Sequence, residues 1–263
     1  MKLGFCFLIY DEIEHEDLWH LFFRNANPEH YGIYVHYKTD KPLQYFESCK
    51  LNNCVETEYG HVSIVHAHIR LLQKAYEDGC EKMIHLSQSC IPLKSFAHIY
   101  AYLSKDEKGH FNVASTYLFP RCNPLLQWYP REAIKKSSNW CILNRTMAEF
   151  FVHYDPAKID REFGSIRSPE EHFFVMHAYL NWANDIIATP NLALATTFAN
   201  WADMAYKYLS SNELKNYTSV SEEELDYLLQ SPSLFGRKFR KECHETLFTI
   251  AYLEAITQSP SHT

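Results

Sequence analysis

Arg237-Lys238-Phe239-Arg240-Lys241 is the densest concentration of charge in the chain, with four cations in five positions. A cluster this short suits one anionic group rather than a polymer. The formal net charge of -7 and the lack of any long Lys/Arg stripe argue against a nucleic-acid partner. A second candidate is Ser87-Gln88-Ser89, a hydroxyl-rich turn that directly follows the apolar residues Met83, Ile84 and Leu86. Ligands of open α/β sheets sit at the carboxyl ends of strands, so this turn is a candidate site floor. Cys90 beside it could be proposed as a nucleophile, but no recognised motif supplies a histidine, and a buried structural thiol is expected. In Ser168-Pro169-Glu170-Glu171-His172, the Ser, the Pro and the Glu three residues after Ser168 have the spacing of a helix capping box. Asp11 and Glu12, with Glu14, could hold a cation, yet Asp-x-Asp occurs nowhere in the chain. The fifteen histidines suggest a metal, particularly His61, His66 and His68. Positions 66 and 68 point about 200° apart on a helix, so they cannot chelate together, and a solvated or capping role is expected.

The elements that position these groups alternate along the chain. Residues 2–10 read as a buried central strand, 17–24 as a helix and 32–36 as a second strand. This is the opening of a nucleotide-binding α/β unit, without the Gly-x-Gly-x-x-Gly of a dinucleotide site. Apolar positions 62, 65, 69, 72 and 76 share one helical face. Residues 82–86 read as a third strand, 92–103 as a turn and helix, and 110–115 as a fourth strand. The irregular stretch 116–139 is long enough to be a functional loop. Beyond it, 140–143 and 193–198 read as strands, and 146–153, 169–182 and 239–256 as helices, the last amphipathic.

The 263 residues, 46% of them hydrophobic, contain no linker-like run, which favours a single α/β domain. The donor-binding half is expected at about 1–115 and the acceptor and catalytic half at about 116–263. Eight cysteines without Cys-x-x-Cys spacing predict reduced, mostly buried thiols and no structural zinc. The apolar start runs into Asp11-Glu12 without a cleavage site, so it reads as a strand rather than a signal peptide. No stretch reaches the roughly 18 apolar residues of a membrane span, so a soluble, cytoplasmic protein is expected.

Leu86-Ser87-Gln88-Ser89-Cys90-Ile91-Pro92-Leu93, with residues 62–75 before it and 99–103 after it, resembles the LSxSCIPL signature of the core-2/I-branching β-1,6-N-acetylglucosaminyltransferase family. Further blocks occur in the same order at 137–145, 168–175 and 231–239. The resemblance implies a single GT-A-like domain with a mixed central sheet flanked by helices. It also implies an inverting, metal-independent transfer of a sugar, most commonly N-acetylglucosamine, from a UDP-sugar to a glycan hydroxyl. Glu171 matches the family's catalytic base, and Lys238, in Leu234-Phe235-Gly236-Arg237-Lys238-Phe239, matches the lysine that holds the diphosphate.

The chain departs from its relatives in one respect: they supply a second cation upstream of an Asn-Trp pair. Asn200-Trp201 matches that pair, but residues 186–199 contain no Arg or Lys. Either Arg237 substitutes, or diphosphate binding is weaker. On the donor side the resemblance also points to Asp11, Glu12, His36 and Ser63, and to Ser87 where animal relatives carry a free cysteine, with Gln88 and Ser89 beside it. On the acceptor side it points to Trp140, which could stack on a sugar or fill the core, and to Trp201; Arg121 and Trp128 lie in the long loop. The rival expectation is a degenerate, non-catalytic module that binds a nucleotide sugar or glycan.

Overall fold

The structure, a computed structural model, describes residues 1–113, 120–189, 194–200 and 214–258. Its centre is β1 (Leu3–Ile9), whose continuous apolar run LGFCFLI is covered on both faces, as an interior parallel strand requires. β1 runs parallel to β2 (Tyr31–Tyr37) on one side and β3 (Lys82–Ser87) on the other. β3 continues into antiparallel β6 (Ile142–Asn144), which pairs with antiparallel β5 (Gly109–Asn112), itself parallel to β7 (Ile186–Thr189). The order β2-β1-β3-β6-β5-β7 makes a mixed six-stranded sheet flanked by helices, the α/β class expected from the sequence.

Alternation along β1 divides the core in two. Leu3, Phe5, Phe7 and Ile9 face one cluster, and Cys6 faces the other. The first cluster is aromatic. Phe5 meets Trp19, Phe22 and Phe23 of α1 (Glu16–Phe23), and Phe96 at the start of α3 (Phe96–Leu103). The opposite face is covered by α2 (Ser63–Glu77), α4 (Arg145–Val152) and α6 (Glu170–Trp182), through Val65, Leu72, Phe151 and Phe174. α5 (Pro156–Phe163) and α7 (Glu222–Gln230) complete the set ahead of the C-terminal segment.

A second, three-stranded sheet joins distant parts of the chain. Its order is β4 (Ile91–Pro92), β9 (Phe235–Arg237), β8 (Thr197–Ala199), with β4 antiparallel and β8 parallel to β9. The helix expected over 239–256 is not continuous: it is replaced by α8 (His244–Leu247) and α9 (Ile250–Thr257), preceded by a single 3-10 turn. Tyr217 explains the break. Its N–H donates to the Lys238 carbonyl at 2.8 Å and its carbonyl accepts from Arg240 N at 2.8 Å, so these groups cannot enter a helical ladder. The basic cluster therefore lies on a strand end and turn. Strands β7 and β9 and helices α5 and α7 were also absent from the sequence reading.

Among the described residues no helix is long and apolar enough to cross a membrane, and all eight cysteines are free thiols, six of them buried.

Trp19 links the aromatic core to the turn after β3: it packs on Phe7 at 5.0 Å and donates its indole N–H to the Cys90 carbonyl at 3.0 Å. Trp19→Ala is expected to cost about 3–5 kcal/mol in urea unfolding, from cavity formation and the lost hydrogen bond.

Candidate active site

Three segments meet at the carboxyl end of the main sheet: residues 10–14 after β1, the turn 87–90 after β3, and residues 237–241 after β9. The turn is internally bonded. Ser87 Oγ lies 3.3 Å from Ser89 Oγ and 3.2 Å from Cys90 Sγ, with all three residues buried. Gln88 ties the turn to β1, accepting from Tyr10 N at 2.7 Å and donating to Glu14 at 3.2 Å. Phe239 N donates to the Ser89 carbonyl at 3.0 Å and closes the contact with β9.

The acids at this end are already engaged. Asp11 pairs with Lys41, Glu12 pairs with Lys241 at 2.8 Å, and buried Glu14 takes Arg240 at 3.2 Å and Lys241 N at 2.8 Å. Two members of the basic cluster are thus neutralised within the fold. Lys238 is not: its ammonium has no hydrogen bond or ion pair among the described residues, and burial together with Arg237 and Arg240 pushes its pKa down. Arg237 likewise has no carboxylate partner among the described residues. Its guanidinium carbon lies 4.2 Å from the Trp140 ring centroid, and the Cys90 thiol is near enough to act on its charge. Burial pushes that thiol's pKa up, so it stays neutral and cancels none of the positive charge.

Glu171 sits in the first turn of α6. The capping box at 168–171 does not form, because Ser168 takes a left-handed φ of 54°, outside the extended region an N-cap occupies, and no side chain caps the helix. Ser168 N donates instead to the carbonyl of Gly60, whose own φ is 74°. A capping box does form at Ser221 and Glu224, at the start of α7. Freed from the backbone, the Glu171 carboxylate reaches Arg121 Nη2 at 2.5 Å and Lys136 Nζ at 3.4 Å. Its charge also acts on Arg237. Glu170 turns inward, and burial, with the Glu171 charge adding, pushes its carboxyl up to about 7.

The remaining candidates are dispersed. His36 is fully buried and accepts from Val55 N at 2.9 Å, so it braces a loop and does not line an opening; this corrects its donor-side placement. Ser63 Oγ accepts from Glu58 N at 3.0 Å within the turn before α2. Trp140 is half-buried with a face against Arg237, so that face is not open for a sugar. Trp128 is exposed and faces the Arg161 guanidinium at 5.5 Å. Trp201 lies outside the described residues. Lys136 was missed, although its place just before the 137–145 block could have signalled it.

His68 is not solvated, contrary to expectation. It is fully buried, stacked on His85 at 4.2 Å, and bonded to Asn139 at 3.0 Å. His61 bonds Ser63 Oγ at 3.1 Å, and His66 pairs with Asp160 at 2.7 Å. Among the described residues no three His, Cys, Asp or Glu converge to hold a metal ion.

The family model for the Core-2/I-Branching enzyme matches residues 3–228. The chain belongs to this family. Glycosyltransferase BC10 of Oryza sativa subsp. japonica is 28% identical to this Core-2/I-Branching family member over 160 residues, which is 57% of this chain and 40% of BC10. The chain thus spans less than half the length of that curated relative. Among solved structures, the galactosyltransferase LgtC with donor and acceptor sugar analogs aligns at a TM-score of 0.49 and 9% identity, covering 99% of this chain and 98% of that one. TarS of S. aureus aligns at a TM-score of 0.41 and 14% identity, covering 73% and 35%.

Burial holds His15, His36, His85, His110, His172 and His177 neutral, each with its pKa lowered to about 4. In the unfolded chain each protonates near the ordinary 6.5, so between about pH 6.5 and 4 the unfolded state binds more protons and stability falls as pH falls. Urea midpoints measured from pH 7.5 to 4.5 are expected to decline continuously below about pH 6.5. A flat profile would show that these histidines are not buried neutral.

Proposed function

We propose that the chain is an inverting glycosyltransferase that moves a sugar, N-acetylglucosamine, from a UDP-sugar to a glycan hydroxyl without a metal. The observation that carries the proposal is the pair Arg237 and Lys238. Two adjacent cations without a carboxylate partner among the described residues, at a strand end whose own acids are engaged elsewhere, match the charge of a diphosphate. The family membership and the side-chain position of Glu171 support the same reading.

In this mechanism the acceptor oxygen attacks the anomeric carbon from the face opposite the nucleotide. Glu171 takes the hydroxyl proton as the new C–O bond forms and the bond to the diphosphate breaks. Negative charge develops on the departing phosphate oxygen, where fixed cations stabilise the transition state more than the ground state. Lys238 and Arg237 serve that role without a divalent ion. Arg121 and Lys136 orient the Glu171 carboxylate from the loop side, where the acceptor enters. Exposed Trp128 on the same loop is a more distant acceptor contact. The closed hydrogen bonding of Ser87 and Ser89 makes the turn a wall of the donor site, and Gln88 holds that wall to β1.

Glu171→Gln is expected to lower turnover by about 10²–10⁴-fold in a UDP-release assay while leaving calorimetric UDP affinity within about twofold. Lys238→Ala is expected to weaken UDP binding by roughly 10–100-fold, the range for a hydrogen bond to a charged group. Full turnover in Glu171→Gln with loss in Glu170→Gln would move the base to the neighbouring carboxyl. UDP binding with no turnover toward any acceptor or water would identify a binding module instead.

A further inference from the structure

Arg237 poses an electrostatic problem that the fold solves in an unusual way. It ends β9, and among the described residues its buried Nε has no partner and no carboxylate pairs with it. Withdrawing a guanidinium from water without an anion is costly. The compensation present is the face of Trp140, 4.2 Å away, with the Glu171 charge acting from beyond ion-pair distance. A cation over an aromatic face is attracted by the ring quadrupole, and more strongly when partly desolvated.

The direction of that contact matters. The contact sets the guanidinium carbon over the ring, whereas the N–H donors lie in the guanidinium plane and radiate toward its rim. Trp140 can therefore hold Arg237 in place while leaving donors on its rim for an incoming oxyanion. A carboxylate partner would have consumed them. The register partner of Arg237 on the neighbouring strand β8 is the small residue Ala199. The backbone at Trp140 is itself anchored, its amide N–H donating to Ser138 Oγ at 3.3 Å and the Ser137 amide donating to the Glu171 carbonyl at 2.8 Å.

We infer that Trp140 is a positioning residue that fixes Arg237 as the second phosphate-binding cation of the donor site, beside Lys238. Trp140 acts through Arg237 and does not contact sugar with its stacked face. The inference rests on the nucleoside-diphosphate-sugar reading and assigns within it the planar, two-pronged cation next to the point charge of Lys238.

The test compares calorimetric affinities for UDP and UMP, whose ratio isolates recognition of the second phosphate. The proteins are the unmodified chain, Trp140→Leu, Trp140→Phe and Arg237→Gln, each checked for folding by circular dichroism. Trp140→Leu and Arg237→Gln should each lower the preference for UDP over UMP by about 5- to 20-fold, and Trp140→Phe, which keeps an aromatic face, should hold it within about threefold. Folded Trp140→Leu with an unchanged ratio would overturn the assignment. Equal loss of UDP and UMP affinity would also overturn it, because the indole would then be touching the nucleoside. Should Trp140→Leu fail to fold, Arg237→Gln decides by the same ratio. Failure of the unmodified chain to bind UDP at all would instead overturn the glycosyltransferase reading beneath it.

Discussion

The site depends on a very short pairing, Ile91 and Pro92 against Gly236 and Phe235. Leu93 N to the Leu234 carbonyl at 2.8 Å and Phe239 N to the Ser89 carbonyl at 3.0 Å frame it on either side. Two strand residues would not hold such distant segments together alone. Burial beneath them does, since Phe235 enters the aromatic cluster against Phe5 and Trp19, and Trp19 bonds the Cys90 carbonyl. The register then sets the position of the charges. Phe235 points into the core, and Arg237 and Lys238 follow just past the paired residues, beside the turn that ends β3.

Local charge balance completes the arrangement. The segment after β1 offers Asp11, Glu12 and Glu14, which is enough acid to neutralise most of the basic cluster. It is divided instead among Lys41, Lys241 and Arg240. Gln88 contributes by fixing Glu14 toward Arg240 and the Lys241 amide. A hydrogen-bond donor at position 88 thus governs which cations remain available several ångströms away.

Much of this was legible in the sequence, and the exceptions share a cause. The strands around β1 and β3 and the helix after residue 62 were readable because burial on two faces leaves continuous apolar runs, and burial on one leaves a period near four. The basic cluster was visible as composition, but its conformation was not. Tyr217 reaches it from far along the chain and takes the backbone groups a helix would have needed. The same holds at Ser168. Its spacing to Glu171 is that of a cap, yet contact with Gly60 turns its backbone left-handed and sends the carboxylate elsewhere. His68 was misplaced because a histidine on a helix shows nothing of its surroundings; its partners, His85 and Asn139, come from a strand and a turn.

The first turn of α6 is fastened to the long loop at four points: Arg121 and Lys136 to the Glu171 carboxylate, Ser137 N to the Glu171 carbonyl, and His172 Nδ1 to the Lys135 carbonyl at 2.7 Å. The carboxylate and the loop are consequently one mechanical piece. Residues 120–137 cannot shift without carrying Glu171 or breaking an ion pair, so loop geometry is transmitted to that carboxylate as displacement. Under the role proposed for Glu171, sequence change in that loop tunes alignment as well as contact, and two chains with the same carboxylate can differ in rate through the stiffness of what holds it.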